Sequence, residues 1–384
     1  MESEKTLSLI ALGDLILGDN SEEFVEPLRP VLRKADIRIG QLEVPYTERN
    51  EVFQGLSREP YRLEPLADCM DILAMSGNHL YDAKEEGVED TISWLEAHNI
   101  LHAGAGKNLE EARKAAIFVK HGVKIGLLNF NCVGPKAAWA TESKMGGSYV
   151  KINTHYELGD IANPGGQPEI IETYPDLHTL TLMKRDIEAL RSECDILIVY
   201  FHKGIVHKPI KLADYEQFIS YEAIDAGADL ILSSHSHILH GIEIYKGKTI
   251  YHGLGNGIAW VPSLGPNYKF ESNKKNDVFN PKEWAEKRIE RFGFVPDPEY
   301  PTYPFHPEAV YTFLAKCLIE KGKIVETRCI PAIVGKDGKT RVVSKKQGGQ
   351  EVYEYIKQIT SKAGLNAEFY WDEDEICIKE NKMN

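Results

Sequence analysis

The sequence predicts an α/β fold in which helices cover a mainly parallel sheet. Short runs rich in Ile, Leu and Val alternate with segments whose apolar residues repeat at helical spacing. Strands buried on both faces show the first pattern, and helices that pack on a sheet show the second. The 42% hydrophobic and 27% charged residues of the 384-residue chain are typical of a globular protein with a large core. Together these observations favour a layered α/β architecture.

The apolar runs and the helical repeats give the order of the elements. Strands are predicted over residues 6–12, 37–42, 125–129, 195–201 and 230–233, with a shorter apolar run over 71–75. Helices are predicted where Leu180, Met183, Ile187 and Leu190, and then Leu212, Tyr215, Ile219 and Ala223, share one face. A further helix is predicted over residues 21–34, and Asp19 is interpreted as its N-terminal cap.

Two stretches interrupt this alternation. Residues 134–175 are rich in Gly, Pro and Asn, and residues 261–307 combine Pro, aromatic and charged residues around a short helical run, 282–291. Both are predicted to be long loops or lids. The chain then returns to a hairpin, 311–319 with 323–331, and a helix that Gly364 ends. We predict one domain over 1–384, with a core over 7–257, a lid-like insertion over 261–307 and a C-terminal hairpin and helix over 308–384.

Charge and composition exclude several classes of partner. The 45 basic and 58 acidic side chains give a net charge of −13, which disfavours binding to nucleic acid or anionic membranes. No apolar run approaches the roughly 18 residues of a membrane span, and the first residues do not resemble a signal peptide. The six cysteines form no Cys-x-x-Cys pair and are predicted to be reduced thiols. A cytoplasmic location is expected.

Metal-ligand residue types follow the predicted strands. Ligands bind at the carboxyl ends of strands in open α/β sheets, so side chains there converge even when they are distant in sequence. The residues at these positions are Asp14, Glu43, Asn78, His79, His202, His235 and His237. Their oxygen and nitrogen donors suit borderline divalent metals. Glu43 is the candidate to bridge two ions about 3.5–4 Å apart.

Covalent catalysis is disfavoured. The chain has no Gly-x-Ser-x-Gly elbow and no cysteine nucleophile motif, and the Gly-Ala-Gly segment at 104–106 lacks the Lys-Ser/Thr of a phosphate loop. That segment is better explained as a tight turn.

Several motifs in register resemble the bacterial capsule-synthesis, poly-gamma-glutamate (CapA-type) family. They are GDLILG, QLEVP, SGNHLYD, IVYFHKG, DAGADLILSSHSHILHGIE and YKGKTIYHGLGN, joined by the 104–106 segment and by EPYRLEP. They extend over about residues 7–257. That family is similar in turn to the calcineurin-like metallophosphoesterases. The resemblance implies a four-layer α/β/β/α sandwich of the metallophosphoesterase type with long inserted loops, and a site for one or two divalent ions such as Mn, Fe or Zn.

The resemblance also implies roles for individual residues. Asp14, Glu43 and His237 would hold the first metal; Glu43, Asn78, His202 and His235 would hold the second. His79 would be the catalytic group that stabilises or protonates the leaving group, with Asp82 orienting it. Arg62 would be an anion-binding substrate contact. Lys203 and His207 depart from the family's HWGxEY motif, and they are predicted as substrate contacts because they lie close to His202 in the sequence.

The function implied is a hydrolase that uses metal-activated water on a phosphoester or an amide bond of a small or oligomeric anionic substrate. Where the metallophosphoesterase pattern Asp-x-His has an imidazole, this chain has Ile16. That departure motivates the alternative of a non-catalytic binding or assembly component of capsule or polyglutamate synthesis, with a structural or vestigial metal site. The sequence makes no prediction of oligomeric state.

Overall fold

The computed structural model describes residues 6–49, 58–157, 170–262 and 281–381, and the elements given below lie within these ranges. The strands are β1 (Leu7–Ile16), β2 (Ile37–Leu42), β3 (Ile72–Ala74), β4 (Leu101–Ala103), β5 (Ala105–Gly106), β6 (Ala116–Lys120), β7 (Val123–Asn131), β8 (Gly146–Gly147), β9 (Ile152–Glu157), β10 (Ile170–Pro175), β11 (Ile196–Lys203), β12 (Leu230–His235), β13 (Ile242–Tyr245), β14 (Lys248–Tyr251), β15 (Asn256–Ala259), β16 (Tyr311–Glu320), β17 (Lys323–Val334), β18 (Thr340–Val342), β19 (Ala367–Asp372) and β20 (Glu375–Glu380). The α-helices are α1 (Ser21–Val25), α2 (Arg29–Lys34), α3 (Lys84–Ala97), α4 (Leu109–Ala112), α5 (Leu177–Arg191), α6 (Asp214–Ala226), α7 (Pro281–Phe292) and α8 (Gln350–Lys362).

Two large sheets form the centre of the fold. The first has the strand order β19-β20-β17-β16-β1-β2-β3-β4, with β15 also paired to β1 and β18 to β17. The second has the order β13-β14-β12-β11-β7-β6. Strands β1 to β4 run parallel, as do β7, β11, β12 and β14. Each sheet therefore has a row of parallel strands whose carboxyl ends share one edge.

Three apolar clusters separate four layers. One lies between the first sheet and helices α1 to α3, one between the two sheets, and one between the second sheet and helices α5 and α6. Members from facing layers are Val88 and Leu42 in the first cluster, Ile39 and Ile198 in the second, and Ile187 and Val199 in the third. Strand β11 shows why the sheet lies between two apolar clusters. Its alternate residues enter different clusters, so both of its faces are buried. The predicted four-layer α/β/β/α fold is confirmed.

Most predicted elements are present with small shifts at their ends. The strands predicted over 6–12, 37–42, 125–129, 195–201 and 230–233 correspond to β1, β2, β7, β11 and β12. The helical repeats correspond to α5 and α6, the terminal hairpin to β16 and β17, and the last helix to α8. The helical run at 282–291 is part of α7, while residues 263–280 of the predicted lid lie outside the described residues. The division of the chain into core, lid and C-terminal part stays a prediction.

Three local predictions are wrong. Residues 21–34 form two short helices rather than one, since Pro27 lies between them and Pro30 occupies the first turn of α2. Asp19 does not cap α1, whose N-cap residue is Asn20; it forms an ion pair with Arg62. The stretch predicted as a loop over 134–175 contains the antiparallel hairpin of β9 and β10, and its residues 158–169 lie outside the described residues.

No helix in the described part of the chain has the length and apolar character needed to cross a bilayer.

Candidate metal centre

The carboxyl ends of parallel strands from both sheets meet at one buried site. Asp14 lies in β1, Glu43 directly follows β2, and Asn78 lies beyond β3. From the second sheet, His202 lies near the end of β11, His235 ends β12 and His237 follows it. Asp14, Glu43 and His202 are 0% exposed. The structure thus brings together every residue that was predicted as a metal ligand.

The position of Asp14 depends on a close backbone approach. The Asp14 amide donates to the Gly255 carbonyl at 3.0 Å, and Asp14 pairs with Asn256 across the β1–β15 ladder. A Cβ at Gly13 would lie 2.0 Å from that same carbonyl oxygen. A side chain at Gly13 would therefore force β1 away from the segment that precedes β15.

Three donor atoms converge on the side of the site built by His202. His202 Nε2 lies 2.7 Å from Asn78 Oδ1 and 3.1 Å from His235 Nδ1, and His235 Nδ1 lies 3.2 Å from Asn78 Oδ1. Glu43 Oε2 lies 3.7 Å from His202 Nε2. A neutral imidazole carries a single N–H. The three atoms therefore direct more lone pairs than protons into the space between them. This group matches the predicted ligands of the second metal.

The remaining ligands face the other oxygen of Glu43. His237 Nε2 lies 3.9 Å from Glu43 Oε1, and His237 Nδ1 lies 3.3 Å from Asp14 Oδ2. The backbone N–H of His235 donates to the same Asp14 oxygen at 3.1 Å. The two carboxylate oxygens of Glu43 therefore face His202 and His237 respectively.

Two of these predicted ligands have unusual backbone conformations. The φ angles are 100° at His235 and 54° at His237, in the left-handed half of conformational space. Residues other than Gly adopt such angles infrequently, and they concentrate at functional sites. The loop 235–237 is thereby bent so that both imidazoles enter the same site.

Burial makes the protonation states of the site unusual. It lowers the pKa of His202 to about 3 and that of His235 well below its ordinary value, so both rings are neutral near pH 7. Burial also raises the pKa of Glu43 well above its ordinary value, and the Asp14 charge adds to this effect. Burial would raise the pKa of Asp14 too, but the hydrogen bond and charge of His237 outweigh it and hold that pKa below the ordinary range.

The donor set fits a divalent cation. Ligand atoms of Asp14, Glu43 and His202 all lie within 4.8 Å of one another. Among the described residues, no hydrogen-bond donor reaches Asp14 Oδ1 or either carboxylate oxygen of Glu43, although all three atoms are buried. Buried acceptors without donors are costly, and two adjacent carboxylates repel. A cation coordinated by these oxygens and by neutral imidazoles would satisfy both conditions.

The predicted catalytic pair is also in contact. His79 Nδ1 lies 2.7 Å from Asp82 Oδ2, and the His79 side chain is 28% exposed. An aspartate at Nδ1 keeps the proton on that nitrogen and fixes the ring plane. His79 is therefore a partly exposed imidazole next to Asn78, which was predicted as a metal ligand.

Lys203 does not face substrate, and that prediction is corrected. The strand β11 continues through Lys203, so alternation directs Lys203 and His202 to opposite faces. The Lys203 ammonium is 0% exposed, lies 3.7 Å from Glu216 Oε2 and 3.0 Å from His252 Nδ1, and donates to the Glu216 carbonyl. It belongs to a buried polar network that extends through His252 to Glu243, where His252 Nε2 lies 2.9 Å from Glu243 Oε2.

The other predicted substrate contacts are also occupied by protein groups. Arg62, on a 3₁₀ helix (Pro60–Leu66), pairs with Asp19 and with Glu59, so its charge is already compensated. This arrangement does not fit the predicted anion contact.

His207 adjoins the site but is only 2% exposed. Its ring lies 6.0 Å from that of His237 and makes edge contacts with Phe292 and Phe294 at 5.0 and 4.9 Å. In this conformation His207 forms part of an aromatic wall rather than an open substrate contact.

Three residues at the site were not predicted from the sequence. Asn256 Oδ1 lies 2.9 Å from His237 Nδ1, Tyr303 contacts Asn256, and the Phe305 ring lies 5.0 Å from that of His237. Asn256 ends the HGLGN motif, so its position carried a signal. Tyr303 and Phe305 lie in a Pro-rich and aromatic segment without periodicity, where the sequence offered none.

Comparison with known proteins points to one family. The family model of the bacterial capsule synthesis protein PGA_cap matches residues 8–260. The PGA biosynthesis protein CapA of Bacillus subtilis (strain 168) is 27% identical over 270 residues, which cover 66% of this chain and 63% of that protein. The capsule biosynthesis protein CapA of Bacillus anthracis is 23% identical over 272 residues, which cover 66% and 60%. The chain thus spans less than two thirds of the length of these relatives.

A solved structure, that of a novel phosphatase from Mycoplasma pneumoniae, superposes with a TM-score of 0.48 and 15% sequence identity, covering 86% of this chain and 95% of that one.

Proposed function

Because the chain belongs to the family of the bacterial capsule synthesis protein PGA_cap, we propose that it is a metal-dependent hydrolase. One or two divalent ions, of the Mn, Fe or Zn type, would serve the cleavage of a phosphoester or an amide bond. The observation that carries the proposal is that buried carboxylate oxygens of Asp14 and Glu43 have no hydrogen-bond donor among the described residues. These oxygens lie beside the neutral imidazole of His202.

The residues that would hold the ions divide at Glu43. Asp14 and His237 lie on one side, and Asn78, His202 and His235 on the other. When bound there, divalent ions polarise the oxygen of the scissile group and make a coordinated water acidic enough to act at neutral pH. The neutral state of His202 and His235 supports this arrangement, because a protonated imidazole cannot be a ligand.

His79 is proposed to protonate the leaving group. Asp82 holds the Nδ1 proton of His79, which leaves Nε2 as the nitrogen that exchanges a proton with substrate. The partial exposure of His79 beside Asn78 supports this role, because a substrate could reach the ring. The pair would deliver a proton to the leaving group without forming a covalent intermediate.

We propose an anionic small molecule or oligomer as the substrate, in capsule or polyglutamate synthesis. This proposal rests on the names of the relatives and on the positive charge that bound ions would bring to a site otherwise lined by carboxylates. A panel of phosphoester and amide substrates distinguishes which of the two bond types is cleaved.

The test combines metal content with turnover. Wild-type protein, His202→Ala and the exposed control His155→Ala are loaded with Mn²⁺, and bound metal is counted by mass spectrometry. Turnover is measured on a chromogenic phosphomonoester, a phosphodiester and a γ-glutamyl anilide. We expect His155→Ala to match the wild type and His202→Ala to lose metal and turnover together. Full turnover in a folded His202→Ala protein would refute the assignment of the site.

Ile16 favours one alternative, a non-catalytic binding or assembly component of capsule or polyglutamate synthesis. Ile16 is 1% exposed and packs in the apolar cluster between the first sheet and helices α1 to α3, so the Asp14 side of the site gains no ligand from this position. The alternative predicts that a polyglutamate oligomer binds equally well after chelation and that metal-loaded protein turns over none of the panel.

A further inference from the structure

The ring of His237 is held by a buried chain of hydrogen bonds that starts outside the family-matched region. His237 Nδ1 lies 2.9 Å from Asn256 Oδ1, Asn256 Nδ2 donates to the Tyr303 hydroxyl at 2.9 Å, and that hydroxyl donates to the Ala309 carbonyl at 2.8 Å. Exposure is 1% at Asn256, 3% at Tyr303 and 2% at Ala309. Water therefore does not compete for these groups.

The directions of these hydrogen bonds follow from the last acceptor. The Ala309 carbonyl can only accept, so the single proton of the Tyr303 hydroxyl points to it. Burial raises the pKa of Tyr303, and the hydroxyl keeps that proton at neutral pH. The hydroxyl oxygen can then only accept from Asn256, which requires the Asn256 NH₂ to face Tyr303. The carbonyl oxygen of Asn256 must in consequence face His237.

The orientation of Asn256 determines the tautomer of His237. An acceptor at Nδ1 requires the ring proton on that nitrogen, and Asp14 Oδ2, at 3.3 Å from the same nitrogen, adds a second acceptor. Nε2 then carries the lone pair. It is the nitrogen that lies 3.9 Å from Glu43 Oε1, on the side where a shared ion would be bound.

We propose that Tyr303 is a positioning residue that acts through Asn256 to hold His237 as an Nε2 metal ligand. The inference rests on the proposed metal site and extends it, since Tyr303 lies beyond residue 260, where the family match ends. The same segment contributes Phe305, whose ring packs 5.0 Å from that of His237 and limits its rotation. Residues 303–309 thereby complete a site whose ligands all come from the family-matched region.

The first experiment measures metal affinity in the full chain. Mn²⁺ is titrated into metal-free wild type, Tyr303→Phe and a matched control, Tyr251→Phe. Tyr251 is also fully buried, and its hydroxyl also donates to a backbone carbonyl, that of Arg328 at 2.9 Å, between the sheets. Groups that orient a metal-binding histidine change affinity by about 10–100-fold. We expect at least about tenfold weaker binding of one ion in Tyr303→Phe and a change below about twofold in Tyr251→Phe.

A double-mutant cycle separates positioning from a general structural role. Asn256→Leu removes the link between Tyr303 and His237. If Tyr303 acts through Asn256, then Tyr303→Phe causes no further loss of affinity in the Asn256→Leu background. Multiplicative losses in the double variant, or a folded Tyr303→Phe whose affinity matches Tyr251→Phe, would overturn the proposal and leave the proposed function standing.

Nitrogen NMR of ¹⁵N-histidine-labelled, metal-free protein tests the tautomer directly. We expect His237 to be protonated at Nδ1 in the wild type and to exchange between tautomers in Tyr303→Phe. The signal is assigned by its loss in His237→Gln. A wild-type ring protonated at Nε2 overturns the proposal. Failure of the wild type to bind Mn²⁺ would refute the proposed function instead, while the NMR comparison still decides the role of Tyr303.

Discussion

Replacement of Glu43 by Gln is expected to stabilise the metal-free protein while removing its response to metal. Glu43 is fully buried beside the Asp14 carboxylate, and neither of its oxygens has a donor among the described residues. A glutamine at this position has nearly the same shape and no charge, and its NH₂ can donate to Asp14. When Glu43 is ionised, the substitution therefore converts a repulsive contact between two acceptors into a hydrogen bond.

The magnitude follows from the buried acceptors and from the direction of the Glu43 pKa shift. An unsatisfied buried acceptor costs about 1–3 kcal/mol, so Glu43→Gln should raise the free energy of unfolding by about that amount at pH 8. Because burial and Asp14 raise the folded-state pKa of Glu43, stability linked to this group is fully present below the unfolded pKa of about 4.3 and is lost as the pH rises through the folded pKa. The advantage of the variant should thus grow with pH.

The assay is urea unfolding at pH 5 and pH 8, with chelator or with Mn²⁺. At one hundred times Kd, Mn²⁺ should stabilise the wild type by about 2.7 kcal/mol, and Glu43→Gln should lose most of this increment. Glu216→Gln is the matched control, because Glu216 is also fully buried but faces the Lys203 ammonium instead of a carboxylate. Removing one partner of a buried ion pair costs about 3–5 kcal/mol, so this control should be destabilised and should keep its response to Mn²⁺.

The reasoning fails if metal-free Glu43→Gln is less stable than the wild type at pH 8, since the carboxylate would then have partners that satisfy it. It also fails if the variant retains the full Mn²⁺ increment.

Three further predictions concern catalysis, pH and backbone packing. His79→Gln should lower turnover by about 10²–10⁴-fold, the usual contribution of a general acid, with bound metal unchanged. His240 is fully buried and its pKa is lowered by burial to about 3, so wild-type stability should fall as the pH drops from about 6.5 towards 3; His240→Gln should reduce that slope by up to about 1.4 kcal/mol per pH unit. Gly13→Ala should cost about 1–3 kcal/mol of stability and weaken Mn²⁺ binding, because its Cβ would lie 2.0 Å from the Gly255 carbonyl oxygen.

Each of these has a contrary outcome. Loss of bound metal in His79→Gln would mean that the His79 ring positions the proposed ligand Asn78 instead of donating a proton to the substrate. Equal pH slopes in urea unfolding for His240→Gln and wild type would mean that His240 is protonated in the folded state. Wild-type stability and Mn²⁺ affinity in Gly13→Ala would show that β1 does not need its close approach to Gly255.

Local patterns predicted the layers of the fold well. Strands such as β2 and β11 are buried on both faces, so their apolar runs are unbroken and easily recognised. The single helix predicted over 21–34 is wrong because Pro27 lies between α1 and α2 and Pro30 occupies the first turn of α2. The substrate role predicted for Lys203 is wrong because the strand is longer than predicted. It was expected to end at residue 201, but β11 continues through Lys203, whose side chain therefore points away from the face that carries His202.

The sequence by itself determined which donor atoms follow the strands, and the carboxyl ends of parallel strands must share an edge of the sheet. Asp14, Glu43 and His202 could therefore be expected together. Only the tertiary structure decided what surrounds them. It shows that Arg62 forms ion pairs with protein carboxylates and that Tyr303 is linked to His237 by hydrogen bonds through Asn256. The physical reason is that strand periodicity is a local property, whereas contacts between distant segments depend on how loops without periodicity pack against the finished sheets.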